Sequence, residues 1–124
     1  MNRQEVGKLG EKLARKFLKK RGYHIRETNF HCREGEIDII ARQGDYLVFI
    51  EVRTKSNLDF GTPEESITRA KKEKLVASAL AYINTHRDLP SLWRIDVVAI
   101  EVDDKGKTKR IELIENAIGG DAKA

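Results

Sequence analysis

Residues 35–56 read GEIDIIARQGDYLVFIEVRTKS, two apolar runs separated by Arg42-Gln43-Gly44-Asp45. Alternating Ile, Val, Leu and Phe around a Gly-Asp turn signal predict a hairpin with strands over 35–41 and 46–53. The same stretch carries Asp38 inside the first run and Glu51 at the end of the second, followed by Arg53 and Lys55. An unpaired carboxylate in a low-dielectric interior is costly enough to demand compensation. These two charges need partners.

Upstream of the hairpin, Val6, Leu9, Leu13 and Phe17 recur at helical spacing, with Lys8, Lys12, Arg15, Lys16 and Lys19 mostly off that stripe. The spacing predicts an amphipathic helix over 3–21, ended by Gly22. Gly7, Gly10 and Ala14 flank the stripe and would let a neighbouring backbone approach closely. Residues 23–30 read as an edge-like strand. Downstream, NLDFGTPEES has the composition of a loop, and a second helix is expected from 68 to about 86, burying Leu75, Ala79, Leu80 and Ile83. Thr62-Pro63-Glu64-Glu65 matches a capping box, which would permit an earlier start. Strands over 93–102 and 108–114 follow, joined by Asp103-Asp104-Lys105-Gly106. The connection through the second helix suits a crossover to a strand parallel to 46–53. The expected class is α/β: a single domain over 1–118 with a mixed central β-sheet flanked by helices, and a frayed tail over 119–124.

Composition narrows the function classes. The 124 residues, 40% of them hydrophobic, suffice for one core. With 24 Lys and Arg against 20 Asp and Glu, the net charge of +4 admits a polyanionic partner without requiring one. A lone Cys32 excludes an internal disulfide, and MNRQEVGKLGEKL has neither a signal-peptide core nor a spanning run, so a cytoplasmic protein without a membrane partner is expected. His24, His31, Cys32 and His86 lack zinc-ligand spacing. There is no Gly-rich phosphate loop and no nucleophile elbow.

Strand alternation then places the charged residues. A four-residue loop over 42–45 pairs Ala41 with Tyr46 and Asp38 with Phe49, leaving Asp38 and Glu51 as diagonal neighbours about 7–8 Å apart on one face. Two such carboxylates can share a hard divalent cation, Mg²⁺ or Mn²⁺, and leave room for a phosphate ligand. Arg53 shares that face and would reach the phosphate or the attacking nucleophile. Residue types also allow a plain structural reading, in which Asp38 pairs with Arg53 or Arg42 and Glu51 marks where the strand leaves the core. Spacing alone does not choose between them.

Beyond the hairpin, GKLGEKLARKFLKKRGYHI, NF, GEIDIIA, VFIEVRTKS, FGTPEESIT with Lys71, and RIDVVAI resemble the successive blocks of the YraN-like family, small bacterial proteins related to Holliday-junction resolvases. The hairpin itself resembles the metal-binding hairpin of the PD-(D/E)XK nuclease superfamily. The resemblance implies a restriction-endonuclease-like fold, with Asp38 and Glu51 as metal ligands and Arg53 at the usual lysine position. It also implies Glu11 as an acidic residue beside the metal and Lys71 as a phosphate contact. Taken as an ordinary helix residue, Glu11 would pair with Arg15 at i+4 instead. A guanidinium stays charged, so Arg53 cannot serve as a general base, although it can position water and stabilise phosphate charge. Lys55, on the same face, is a substitute for the missing lysine. The runs RKFLKKR, with Lys19 and Lys20, and TRAKKEK, with Lys71 and Lys72, can track a phosphate backbone. The expectation is a Mg²⁺- or Mn²⁺-dependent endonuclease-like protein that hydrolyses DNA phosphodiesters, branched or single-stranded DNA included. The alternative is an inactive nucleic-acid-binding or protein-interaction module that keeps the fold. Oligomeric state stays open, a homodimer included.

Overall fold

In the computed structural model, which describes residues 1–118, Asn2 and Glu5 form a reciprocal cap: the Glu5 amide donates to Asn2 Oδ1 at 2.8 Å and the Asn2 amide to Glu5 Oε1 at 2.9 Å. This cap opens α1, Arg3–Lys20. The residues α1 buries are Val6, Gly10, Ala14 and Leu18, while Leu9, Leu13 and Phe17 are only partly buried beside them. The apolar stripe therefore sits off-centre, because small residues let the helix settle onto the sheet. A Cβ built on Gly10 would overlap Thr54 Oγ1 and lie 2.8 Å from Thr54 Cβ.

Five strands follow: β1 His24–Cys32, β2 Gly35–Gln43, β3 Tyr46–Lys55, β4 Leu92–Val102 and β5 Thr108–Ile114. They form one sheet in the order β1-β2-β3-β4-β5, antiparallel throughout except for the parallel β3–β4 pair. The helix between β3 and β4 supplies the crossover that a parallel pair requires. This is the expected α/β domain with a mixed sheet. The expected tail over 119–124 lies outside the described residues.

The hairpin register differs from the expectation. Gln43 pairs with Tyr46 and Ala41 with Val48, so the connection is a two-residue turn at Gly44-Asp45. Gly44 has φ 59°, a conformation that glycine adopts without steric cost at the first central position of a tight hairpin turn. Arg42 and Gln43 are polar yet belong to the strand. The change shifts the pairing by two residues, which by itself leaves side chains on the face that alternation gives them.

Two separate helical segments lie between β3 and β4. Thr62 and Glu65 do form the reciprocal cap, with the Thr62 amide donating to Glu65 Oε1 at 2.8 Å and the Glu65 amide to Thr62 Oγ1 at 3.3 Å, but it closes only a short 3₁₀ turn, Glu64–Ser66. The main helix, α2 at Arg69–Thr85, has its own cap: the Lys71 amide donates to Thr68 Oγ1 at 3.1 Å. Its buried face is Leu75, Ser78, Ala79 and Tyr82. Leu80, expected in that face, is 42% exposed because it lies about 140° round the helix from Leu75.

Each face of the sheet carries its own core. Against α1 lie Ile39, Val48, Ile50, Val98 and Ile100; against α2 lie Ile37, Ile40, Leu47, Phe49 and Ile95. On β4, Asp96 is completely buried and fully partnered: it accepts from Arg94 Nε at 3.0 Å, from Tyr23 Oη at 3.1 Å and from the Asn116 amide at 2.8 Å. No helix among the described residues is long and apolar enough to cross a membrane.

Candidate active site

Strand β2 rotates where it carries Asp38. Ile37 and Ile39 should share a face, being two apart, yet Ile37 packs against α2 and Ile39 against α1. Opposite this rotation, in β1, Asn29 takes a left-handed conformation with φ 53°, which asparagine tolerates better than most residues. The β2–β3 ladder ends at Ile39↔Ile50, so Asp38 comes opposite Glu51 one step further on. There the ladder bond is replaced by a side chain: the Val52 amide donates to Asp38 Oδ2 at 2.8 Å. Asp38 pairs with neither Arg53 nor Arg42; Arg53 belongs to Glu51, and Arg42 Nε donates to the Gly44 carbonyl.

Glu51 is the other buried acid of the described residues, 3% exposed. Its Oε2 lies 3.0 Å from Arg53 Nε and 3.8 Å from Lys71 Nζ, while Oε1 has no hydrogen-bond partner. The Arg53 contact is an ion pair without hydrogen-bond alignment, since Arg53 Nε is itself unpartnered in that sense. Burial and then the charge of Asp38 push the Glu51 carboxyl up from 4.5 to about 7, and Lys71 and Arg53 oppose this without cancelling it.

Glu11 projects from α1 towards the same acids. Burial and then the charge of Asp38 raise its carboxyl, against the smaller opposing effects of Arg15 and Asn29. Glu11, Asp38, Arg53, Lys55 and Phe60 line an open cleft of about 650 Å³, with Glu51 buried against Arg53. Among the described residues no three His, Cys, Asp or Glu side chains converge as a ready metal cage. Charge coupling, rather than contact, ties Glu11 to Asp38.

The basic residues divide. Arg53 and Lys71 stand against Glu51. Lys55 lines the cleft, but its Nζ donates to the Phe60 and Gly61 carbonyls, both at 3.4 Å, so it fastens the following loop. Lys72 is exposed and borders a separate cavity with Arg69, Glu73 and Val76. Lys19 and Lys20, in the last turn of α1, are exposed and lie about 12–14 Å along the helix from Glu11. Three features escaped the sequence reading: the Val52 amide bond to Asp38, the left-handed Asn29, and the ring of Phe60 at the cleft rim. An asparagine inside a strand-like run was the only available signal for the second, and the first has none.

The orphaned Glu51 oxygen beside a second carboxylate fits a divalent cation held by Asp38 and Glu51. A model of the family described as Uncharacterised protein family UPF0102 matches residues 10–100, a span that contains Glu11, Asp38, Glu51, Arg53, Lys55 and Lys71. The chain is 51% identical over 118 residues to a UPF0102 protein of Dehalococcoides mccartyi, covering 95% of this chain and 96% of that relative. It is 44% identical over 115 residues to a UPF0102 protein of Legionella pneumophila, covering 92% and 94% respectively. A third relative, from Caldicellulosiruptor saccharolyticus, is 42% identical over 117 residues and covers 94% of this chain and 99% of its own. With more than half of its length matched, the chain belongs to the UPF0102 family, the YraN-like family that its sequence blocks resemble.

Proposed function

We propose that this protein is a divalent-cation-dependent nuclease of the PD-(D/E)XK type, with a restriction-endonuclease-like sheet, that hydrolyses DNA phosphodiesters at branched or single-stranded sites. The observation that carries the reading is Glu51: a 3%-exposed carboxyl, raised to about 7 by burial and by Asp38, with one oxygen unpartnered although two cations stand nearby. Asp38 and Glu51 would hold Mg²⁺ or Mn²⁺, with Glu11 adding negative charge beside them. When bound, the ion supplies Lewis-acid charge and lowers the pKa of water for attack on phosphorus.

The chain's own residues do the rest. Asp38 is oriented by the Val52 amide, which occupies Oδ2 and fixes the plane of the carboxylate. Arg53 brings a guanidinium, so its part is to neutralise developing phosphate charge in the cleft it lines. Lys71, 3.8 Å from Glu51, supplies from α2 the lysine that position 53 lacks. A permanently charged Arg53 against Glu51 also favours a second reading, a nucleic-acid-binding or protein-interaction module without turnover.

A panel of linear, flapped and four-way DNA with Mg²⁺ or Mn²⁺ separates the two. The nuclease reading expects metal-dependent cleavage that Asp38→Asn and Glu51→Gln each abolish. Binding without cleavage on every substrate establishes the module.

A further inference from the structure

We propose that Phe60 is a base-stacking residue, presented at the mouth of the cleft to an unpaired nucleobase next to the phosphate held by the site. The inference rests on the nucleic-acid reading above and adds how unpaired DNA would be selected. Phe60 is 92% exposed, whereas the other exposed large apolar residues of the described chain reach at most the 50% of Met1. A ring left so bare is normally a loop that has come loose from its core.

This loop is fastened on both sides of the ring. The Gly61 amide donates to the Leu58 carbonyl at 3.1 Å and the Asp59 amide to Asn57 Oδ1 at 3.2 Å. Lys55 Nζ donates to the carbonyls of Phe60 and Gly61, and the Thr62–Glu65 cap follows directly. Gly61 has φ 97°, and a Cβ there would meet Glu65 Oε1 at 3.1 Å, so the backbone turns sharply just after the ring. The backbone is held while the side chain is turned out.

The surroundings select the occupant. Phe60 shares the cleft with Arg3, Arg53 and Lys55 and with the acids Glu11, Asp38 and Asp59, so cations suited to a phosphate backbone stand beside the carboxylates of the site, and Phe60 offers the one aromatic face among the lining residues. A projecting aromatic beside such cations is what binds single strands without sequence preference, the ring stacking on a base while the cations hold its phosphates. A protein-docking patch would need a contiguous apolar area, and the neighbouring apolar side chain in the loop is only Leu58. A base inside a continuous duplex has both faces covered by its stacked neighbours and offers none to the ring. Stacking therefore favours flaps, single-stranded overhangs and junctions over continuous duplex.

The test uses the full chain with Phe60→Trp and Phe60→Ala, a single-stranded oligothymidylate, a flapped duplex and a blunt duplex, with Asp38→Asn as a parallel variant. Trp93 gives the wild-type fluorescence background. Phe60→Trp should show emission quenched by single-stranded and flapped DNA but not by blunt duplex. Phe60→Ala, with unchanged melting temperature because the ring is exposed, should bind single-stranded and flapped DNA about 10-fold more weakly and blunt duplex equally well. If Phe60→Ala binds and cleaves as wild type does and Phe60→Trp is not quenched, stacking is overturned while the nuclease reading stands. If quenching and the affinity loss occur but Asp38→Asn cleaves normally, stacking stands and the assigned catalytic site falls. No binding of any DNA by the wild type overturns both and leaves the ring as a contact for a protein.

Discussion

Replacing Glu51 with glutamine should make the metal-free protein more stable at pH 8. The Glu51 carboxyl is raised in the folded protein from 4.5 to about 7, by burial first and by Asp38 second. A carboxyl raised on folding binds its proton more tightly folded than unfolded, so wild-type stability falls as pH rises from 4.5 and the penalty is complete just above 7. At about 1.4 kcal/mol per pH unit, that interval amounts to about 3 kcal/mol. Lys71 and Arg53 act on the same titration, so their attraction is already within the figure. Glutamine keeps the shape, offers an oxygen to Arg53, and can donate from its amide to Asp38. The expectation is near-equal stability of Glu51→Gln and wild type at pH 4.5, with the variant ahead by about 3 kcal/mol, or roughly 10 °C in Tm, at pH 8. Urea and thermal denaturation in EDTA at both pH values measure it. A variant equal to or less stable than wild type at pH 8 would refute the premise that Glu51 is an uncompensated buried charge.

Other outcomes follow from the same geometry. Saturating Mn²⁺ at pH 8 should raise the wild-type Tm, by the equivalent of about 2.7 kcal/mol at 100 times Kd, and less at pH 5.5, where Glu51 holds a proton; Asp38→Asn and Glu51→Gln should each remove the shift in a thermal-shift titration. Arg53→Ala and Lys71→Ala should each lower the rate of DNA cleavage by about 10²-fold while Mn²⁺ binding persists, whereas Lys55→Ala should act through the loop and mimic Phe60→Ala. Neutralising Lys19, Lys20 or Lys72, away from the acidic pair, should leave cleavage of short substrates unchanged; any of them that contacts a longer duplex should lower the salt slope of binding by about one. Gly10→Ala should cost about 1–3 kcal/mol by urea denaturation through overlap with Thr54, and Thr54→Ala should recover only part of it, because the Thr54 Cβ remains close.

How far the fold was legible in the sequence depends on which physical signal each feature leaves. Alternation was legible only in part: the true hairpin turn is two residues rather than four, and the shift of two brings Asp38 opposite Glu51 rather than diagonal to it, but β2 rotates at Asp38, so that Ile37 and Ile39 fall on opposite faces, which strict alternation does not foresee. Turn length was not legible, because Arg42 and Gln43 look like loop residues and sit in the strand. Hydrophobicity also misplaced the buried face of α1. Val6 is buried as expected, but Leu9, Leu13 and Phe17 mark the flank, and the contact runs on through Gly10, Ala14 and Leu18, with Gly10 directly against Thr54. On α2, Tyr82 displaces Leu80 from the core because a tyrosine at the right angle packs against Phe49 and Phe30, at 5.8 and 5.2 Å between ring centres, while a leucine at the wrong angle cannot. The approach of Lys71 to Glu51 needs the docked position of α2, which no local pattern specifies.

The two buried acids of the described residues show what a structural carboxylate looks like in this sheet and why Glu51 is not one. Asp96 and Glu51 lie on adjacent parallel strands, and both have an arginine two residues away along the chain. Around Asp96 the fold completes the solvation that water gave up: guanidinium, phenol and backbone amide all donate, and both oxygens are used. The tyrosine that donates is itself pushed up to about 12 by burial and by Asp96, so it stays protonated and keeps donating across the accessible pH range. Around Glu51 the same ingredients stop short. Arg53 is near but misaligned, Lys71 is at 3.8 Å, the nearest acidic neighbour is another carboxyl, and one oxygen receives nothing. Replacing such an acid with a neutral isostere would relieve the fold, so stability gives no reason for a carboxylate there. A ligand that brings positive charge to Asp38 and Glu51 together does give one, and the open cleft beside them is the route by which it would arrive.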